Sequence, residues 1–323
     1  MKLDKVYDIS NMDKAVASFS DQINESFSIF NKNLILKEYS KIDSIIILGM
    51  GGSAIGGDLV RVILSDNCRV PIFVNRSYVV PKWVSENTLV IASSYSGNTE
   101  ETLDAFFECI KRKSKIVIIS TGGRLVKLGK ENRIDTILLP SGYQPRAALG
   151  YSFTIINLLL NHIGLINNKI IHLIRQSIGP LSILTSDLIK SNNIAIDIAS
   201  KIYNTFPVLY GTSEFSDVVA LRLRGQLAEN AKILSFHNSF PEQNHNEIEG
   251  WTLNQDILAR MSIIWFEDRD DHNRNKKRIA ISKKLFNSYI KTEVTLFQEG
   301  ENYIERLLKL IHLSDWISYY TAL

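Results

Sequence analysis

The sequence predicts an α/β chain built on two doubly wound parallel sheets, and three observations carry that prediction. Short apolar runs are continuous rather than alternating, as in Ile45-Ile46-Ile47-Leu48 and Leu89-Val90-Ile91-Ala92, which suits strands covered on both faces. Between them lie segments whose apolar residues recur at helical spacing. The alternation pauses after residue 150 and restarts after residue 205, which makes two blocks of similar size.

Taken in order, an amphipathic helix is expected over about Asn11–Leu36. Strands are expected over Ser44–Leu48, Pro71–Val74, Leu89–Ala92, Lys115–Ser120 and Thr136–Leu139, with helices over Asp58–Leu64 and Thr99–Lys113. Residues 151–205 read as mainly helical. The second block runs strand Pro207–Tyr210, helix Phe215–Ala231, strands Ile233–Phe236 and Ser262–Phe266, helix Asn273–Ile290, strand Glu293–Phe297, then a helix from Tyr303. The expected division is an N-terminal helical segment (1–40), a first α/β domain (41–150), a helical connection (151–205) and a second α/β domain (206–323).

At 323 residues and 45% hydrophobic content, both domains can have a core. Lys+Arg 37 against Asp+Glu 34 leaves a net charge of +3, too little to argue for a nucleic-acid or membrane partner. The one dense charge run, Asp268–Arg278, carries both signs and is expected to be a solvated helix start. Cys68 and Cys109 make no disulfide framework. Met1-Lys2-Leu3-Asp4-Lys5 lacks the apolar region of a signal peptide, and the stretch Phe153–Ile166 is broken by Asn157, Asn161 and His162. A soluble cytoplasmic protein is expected.

Two small-residue loops stand where strands run out: Gly49-Met50-Gly51-Gly52-Ser53 and Ser94-Tyr95-Ser96-Gly97-Asn98-Thr99. A strand that turns into a helix there leaves backbone N–H groups facing outward, and hydroxyls beside them make a cradle for phosphate. The first loop nearly fits a dinucleotide fingerprint through Gly49, Gly51 and Ala54. The next strand, however, ends Phe73-Val74-Asn75-Arg76 with no carboxylate for a ribose, although Arg76 could meet a 2′-phosphate. In the second loop Ser94, Ser96 and Thr99 exceed what one helix cap needs. With no lysine of the P-loop type, the loop suits a small phosphomonoester, which points to a sugar phosphate.

Ser94-Tyr95-Ser96-Gly97-Asn98-Thr99-Glu100-Glu101-Thr102 resembles the signature of sugar isomerase (SIS) domains. Four further motifs resemble the bifunctional phosphoglucose/phosphomannose isomerases: Gly49–Ser53, Pro145-Arg146-Ala147, Leu223–Asn230 and Pro241–Glu247. The resemblance runs from about residue 40 onward with the motifs in order. It implies two SIS domains and isomerisation of glucose 6-phosphate, with mannose 6-phosphate as a second aldose, to fructose 6-phosphate through a cis-enediol. That chemistry needs a base at C2, an acid/base for ring opening and a cation for the enediol oxygens, and it requires neither metal nor cofactor.

Glu229 closes a helix that is otherwise apolar and basic. A carboxylate beside helix carbonyls is electrostatically disfavoured, which suits a base. The resemblance assigns it that role. It makes His245 the ring-opening group, contributed across a homodimer interface, and Arg146 the enediol-stabilising cation. Ser53, Ser94, Ser96 and Thr99 would bind phosphate, with Gly51 and Gly52 in support. His237 lies eight residues before His245 without a third metal ligand at suitable spacing, so no metal is expected. The resemblance also implies a small residue on the last helix, Ser318, giving the intermediate room to rotate. Family members carry a tail lysine beyond that helix; the sequence ends at Leu323, and Lys309 is expected on the surface.

Two other classes stay open. A non-catalytic sugar-phosphate sensor would not need Glu229 and His245, and residues 1–40 lack a basic DNA-reading cluster. An amino-sugar phosphate isomerase would turn over glucosamine 6-phosphate.

Overall fold

The computed structural model describes every residue except Met1, Lys2, Asp4 and Leu34, and omits the side chain of Tyr7. Parts of the expected N-terminal segment therefore lie outside the described residues. The single helix expected over Asn11–Leu36 is two, α1 (Met12–Ala17) and α2 (Phe19–Lys32). Ser18 breaks them apart with ψ at 6°, off the helical value. They belong to different compact units: one is Ser18–Ile178, the other joins the described residues up to Ala17 to Gly179–Leu323.

In the Ser18–Ile178 unit, five parallel strands are ordered β2-β1-β3-β4-β5: β1 Ser44–Leu48, β2 Ile72–Asn75, β3 Thr88–Ser93, β4 Lys115–Ser120 and β5 Asp135–Leu138. Every residue of β1 and β3 is buried, as their unbroken apolar runs require of central strands. Ile46, Val90 and Ile118 pack with Phe106 of α4 (Glu100–Lys111) and Leu125 of α5 (Gly123–Glu131). The helix expected at Asp58–Leu64 begins earlier: α3 spans Gly51–Ile63, so most of the first glycine loop is its opening turns. Helix α3 packs on α6 (Leu149–His162), which also packs on α2. Helix α7 (Asn168–Gln176) closes the unit.

After α1, the other unit resumes with α8 (Ile178–Leu188) and α9 (Ile194–Ile202), so residues 149–202 hold four helices and no strand. Its sheet is also parallel, ordered β7-β6-β8-β9: β6 Phe206–Thr212, β7 Phe236–Phe240, β8 Met261–Phe266 and β9 Thr292–Leu296. Strand β7 starts where the expected Ile233–Phe236 strand was to end. It is an edge strand, partly exposed and without an apolar run, while the apolar Leu234 before it stands in solvent. The core is aromatic, with Trp251 stacked on Phe286 at 4.6 Å and Tyr210 lying 5.3 Å from Trp265. Helices α10 (Asp217–Gln226), α11 (Gln243–Asn246), α12 (Gln255–Leu258) and α13 (Asn273–Phe286) surround it, and α13 ends short of the expected Ile290.

Helix α14 (Tyr303–Ala322) is buried from Ile304 to Thr321 except at Lys309. Burying a helix on all sides forces its polar residues into partnerships. Arg306 donates to both carboxylate oxygens of Asp268, at 2.7 and 2.9 Å, and also reaches Asp270. The Asp268–Arg278 run is solvated at the start of α13, where Arg274 and Lys277 are exposed, but Asp268 and Asp271 ahead of it are buried, and Asp268 neutralises the buried arginine. Lys309, expected on the surface, keeps its side chain only 17% exposed by pairing with Glu305 at 2.6 Å.

His312 of α14 has no exposure, and burial, then Arg222, pushes its pKa down from 6.5 to about 3. The folded state therefore holds this imidazole neutral, and its contribution to stability is full above about 6.5 and lost as pH falls from there toward 3. Replacing His312 with Gln should reduce the acid loss of unfolding free energy between pH 7 and 5 by about 2 kcal/mol, read from urea titrations at both pH values. Equal losses in variant and parent would show that His312 does not set the acid limit. Among the described residues, no helix is long and apolar enough to cross a membrane.

Candidate active site

Within the Ser18–Ile178 unit, three connections leave the carboxyl ends of β1, β3 and β5 and interlock, at the edge where parallel sheets bind ligands. The Ser53 hydroxyl of α3 accepts from the Tyr95 N–H at 3.3 Å. The Tyr95 hydroxyl donates to Pro140 O at 2.8 Å and accepts from Tyr143 N at 3.1 Å. A Cβ on Gly52 would stand 2.6 Å from Pro145 O and 3.2 Å from Arg146 Cα, so only glycine lets α3 approach the turn Pro145–Ala147. Half-buried Arg146 is thus held beside the first turn of α3, whose first residue, Gly51, is exposed. Sequence reasoning missed Tyr95. Its place inside the serine-rich loop was the available signal.

The Ser94–Thr99 loop turns at Gly97, with φ +68° and the Gly122 carbonyl 1.9 Å from where a Cβ would lie. Ser94 is buried; its hydroxyl accepts from Gly97 N at 3.1 Å and lies 2.9 Å from the Thr99 hydroxyl. Ser96 is exposed and accepts from Asn98 N at 3.2 Å. Thr99 occupies the cap position of α4, yet its side chain makes no capping bond, so simple capping does not account for it. The loop therefore offers Ser96, Thr99 and the first N–H groups of α4 to an anion, with Ser94 shaping it from within. Replacing Ser96 and Thr99 together with Ala should raise the inhibition constant of a sugar-phosphate analogue tenfold or more, by roughly the loss of two charge-assisted hydrogen bonds. An unchanged constant would remove the cradle. Arg76, the residue that could have met a 2′-phosphate, is paired with buried Asp58.

In the other unit the expected helix Phe215–Ala231 divides. Helix α10 stops at Gln226, and a single π-turn, Leu227–Ala231, carries exposed Glu229 before Lys232 ends it at φ +60°. Such turns insert one residue into a helix and recur at functional sites. Arg222 binds both oxygens of Asp315 at 2.8 and 2.7 Å, and Gln226 donates to Asp315 at 3.0 Å. Asn230 donates to the Ser318 hydroxyl at 2.9 Å. Ser318 itself is fully buried.

His245 is exposed and sits on α11, which runs into a tighter turn, Glu247–Trp251. Tyr210 of β6 donates to Glu247 at 2.6 Å and accepts from the Trp251 indole at 3.2 Å, and Asn238 donates to Glu247 at 3.1 Å. These bonds pin the histidine's segment to the sheet. His237 instead packs against Arg224, 3.1 Å from its Nδ1; burial and that charge lower its pKa to about 4. Among the described residues, no group of three His, Cys, Asp or Glu side chains could hold a metal ion.

Residues 191–323 match the family described as Bacterial phospho-glucose isomerase C-terminal SIS domain. The chain is similar to the bifunctional phosphoglucose/phosphomannose isomerase of Caldicellulosiruptor bescii, 39% identical over 96% of this chain and 93% of that one. It is similar to the protein of the same name from Thermoplasma acidophilum, 38% identical over 86% of this chain and 83% of that one. Among solved structures, it resembles the C-terminal domain of glucosamine-fructose-6-phosphate aminotransferase from Francisella tularensis. The TM-score is 0.71 at 14% identity, covering 96% of this chain and 94% of that one, a likeness of fold alone.

Proposed function

The chain belongs to the bifunctional phosphoglucose/phosphomannose isomerase family, and from that premise we propose that it interconverts glucose 6-phosphate and mannose 6-phosphate with fructose 6-phosphate. The observation that carries the reading is the interlocked Ser53, Ser94–Thr99 and Arg146 arrangement at the strand ends. Ser96 and Thr99 take the phosphate, with Ser53 and Ser94 holding the loop. His245 opens the ring by moving a proton between the ring oxygen and the C1 hydroxyl. Glu229 then removes the C2 proton of the open-chain aldose, and the C–H electron pair forms the C1–C2 double bond as the C1=O π pair moves onto O1. O1 takes up a proton, the C2 hydroxyl gives one up, and the same carboxyl returns its proton to C1, leaving the C2 ketone. Arg146 offsets the negative charge on the enediol oxygens. The two aldoses differ only at C2, so rotation about C2–C3 lets one base serve both. The protein works as a homodimer in which His245 serves the partner's substrate.

The test is a coupled assay with fructose 6-phosphate in which glucose 6-phosphate and mannose 6-phosphate are followed separately. Both products are expected. Glucose 6-phosphate alone would restrict the reading to one aldose. Tight binding without turnover would replace it with a sensor, and turnover of glucosamine 6-phosphate with an amino-sugar isomerase.

A further inference from the structure

We propose that Ser318 is a positioning residue for Glu229, acting through Asn230; the inference rests on the reading of Glu229 as the base. A π-turn is rare and occurs mostly as a single turn inside an α-helix, frequently at a functional site. Here one stretch of α14 supports it. On the N-terminal side of Glu229, Gln226 donates to Asp315, which Arg222 also grips. On the C-terminal side, Asn230 donates to the Ser318 hydroxyl, which itself donates to the Asp315 backbone carbonyl at 2.7 Å. Glu229 is therefore carried between two attachments, three residues before it and one after, both ending within Asp315–Ser318. Ser318 has no exposure, so its hydroxyl has no water to exchange for Asn230.

The resemblance to the isomerases values Ser318 for being small, whereas the geometry values its oxygen, and alanine separates the two. In Ser318→Ala, kcat with both aldoses should fall about tenfold, with KM within about twofold and the ratio of the two aldose products unchanged, since a displaced base slows both proton transfers alike. Asn230→Ala should reproduce that loss. The double variant should be no worse than either single, because both remove the same bond. The inference is overturned by an unchanged kcat in Ser318→Ala, whatever its thermal midpoint, by a changed product ratio, or by losses that multiply in the double variant. Should Ser318→Ala not fold, the split between kcat and KM in Asn230→Ala decides. A parent protein that exchanges no C2 proton with either aldose would remove the base assignment itself, and the inference with it.

Discussion

Glu229→Gln should lower C2 proton exchange about 10²- to 10⁴-fold while leaving the affinity for sugar phosphates within about tenfold. The amide keeps the shape of the carboxylate and loses its basicity. Because Glu229 is exposed on the π-turn, the change leaves no buried cavity and should not disturb folding. Tritium or deuterium wash-out from C2 of glucose 6-phosphate measures the step directly. Exchange at the parent rate would move the base to another residue.

Arg222→Met should destabilise the protein by about 3–5 kcal/mol, a large part of the 5–15 kcal/mol typical of a folded domain. The methionine fills much of the space but leaves Asp315 fully buried without its cation. Burial already pushes the Asp315 carboxyl up, a push that Arg222 and Gln226 only partly offset. With the arginine gone the carboxyl rises further, so the penalty should grow as pH rises and shrink in acid. Urea midpoints at pH 5 and pH 8 would show it, and Arg222→Met/Asp315→Leu should recover most of the loss. A single variant with the parent's midpoint would mean the pair carries no such stability.

Much of the fold was legible because β1, β3, β6 and β8 are central strands whose burial on both faces leaves an apolar run. Strand β7 was displaced in the sequence reading because an edge strand, Phe236-His237-Asn238-Ser239-Phe240, needs no such run. The break at Ser18 was hidden because hydrophobic spacing continues across it. The Ser94–Thr99 loop was visible as a cluster of hydroxyls, but not that Ser94 is consumed inside it. The π-turn under Glu229 was invisible, since one extra residue in a helix end changes direction without changing composition. Arg306 with Asp268 was likewise unreadable, because partners 38 residues apart announce nothing to each other in the chain.

The division of the chain into a continuous and a discontinuous unit sets an order on its making. Ser18–Ile178 holds everything its sheet needs and can fold once that stretch has left the ribosome. The other unit packs α1 against α14, its opening helix against its closing one. Residues up to Ala17 must therefore wait for the synthesis of Gly179–Leu323, on the order of ten seconds at typical synthesis rates. Glu229 leans on that same last helix, so the proposed base is among the final groups of the nascent protein to acquire its surroundings.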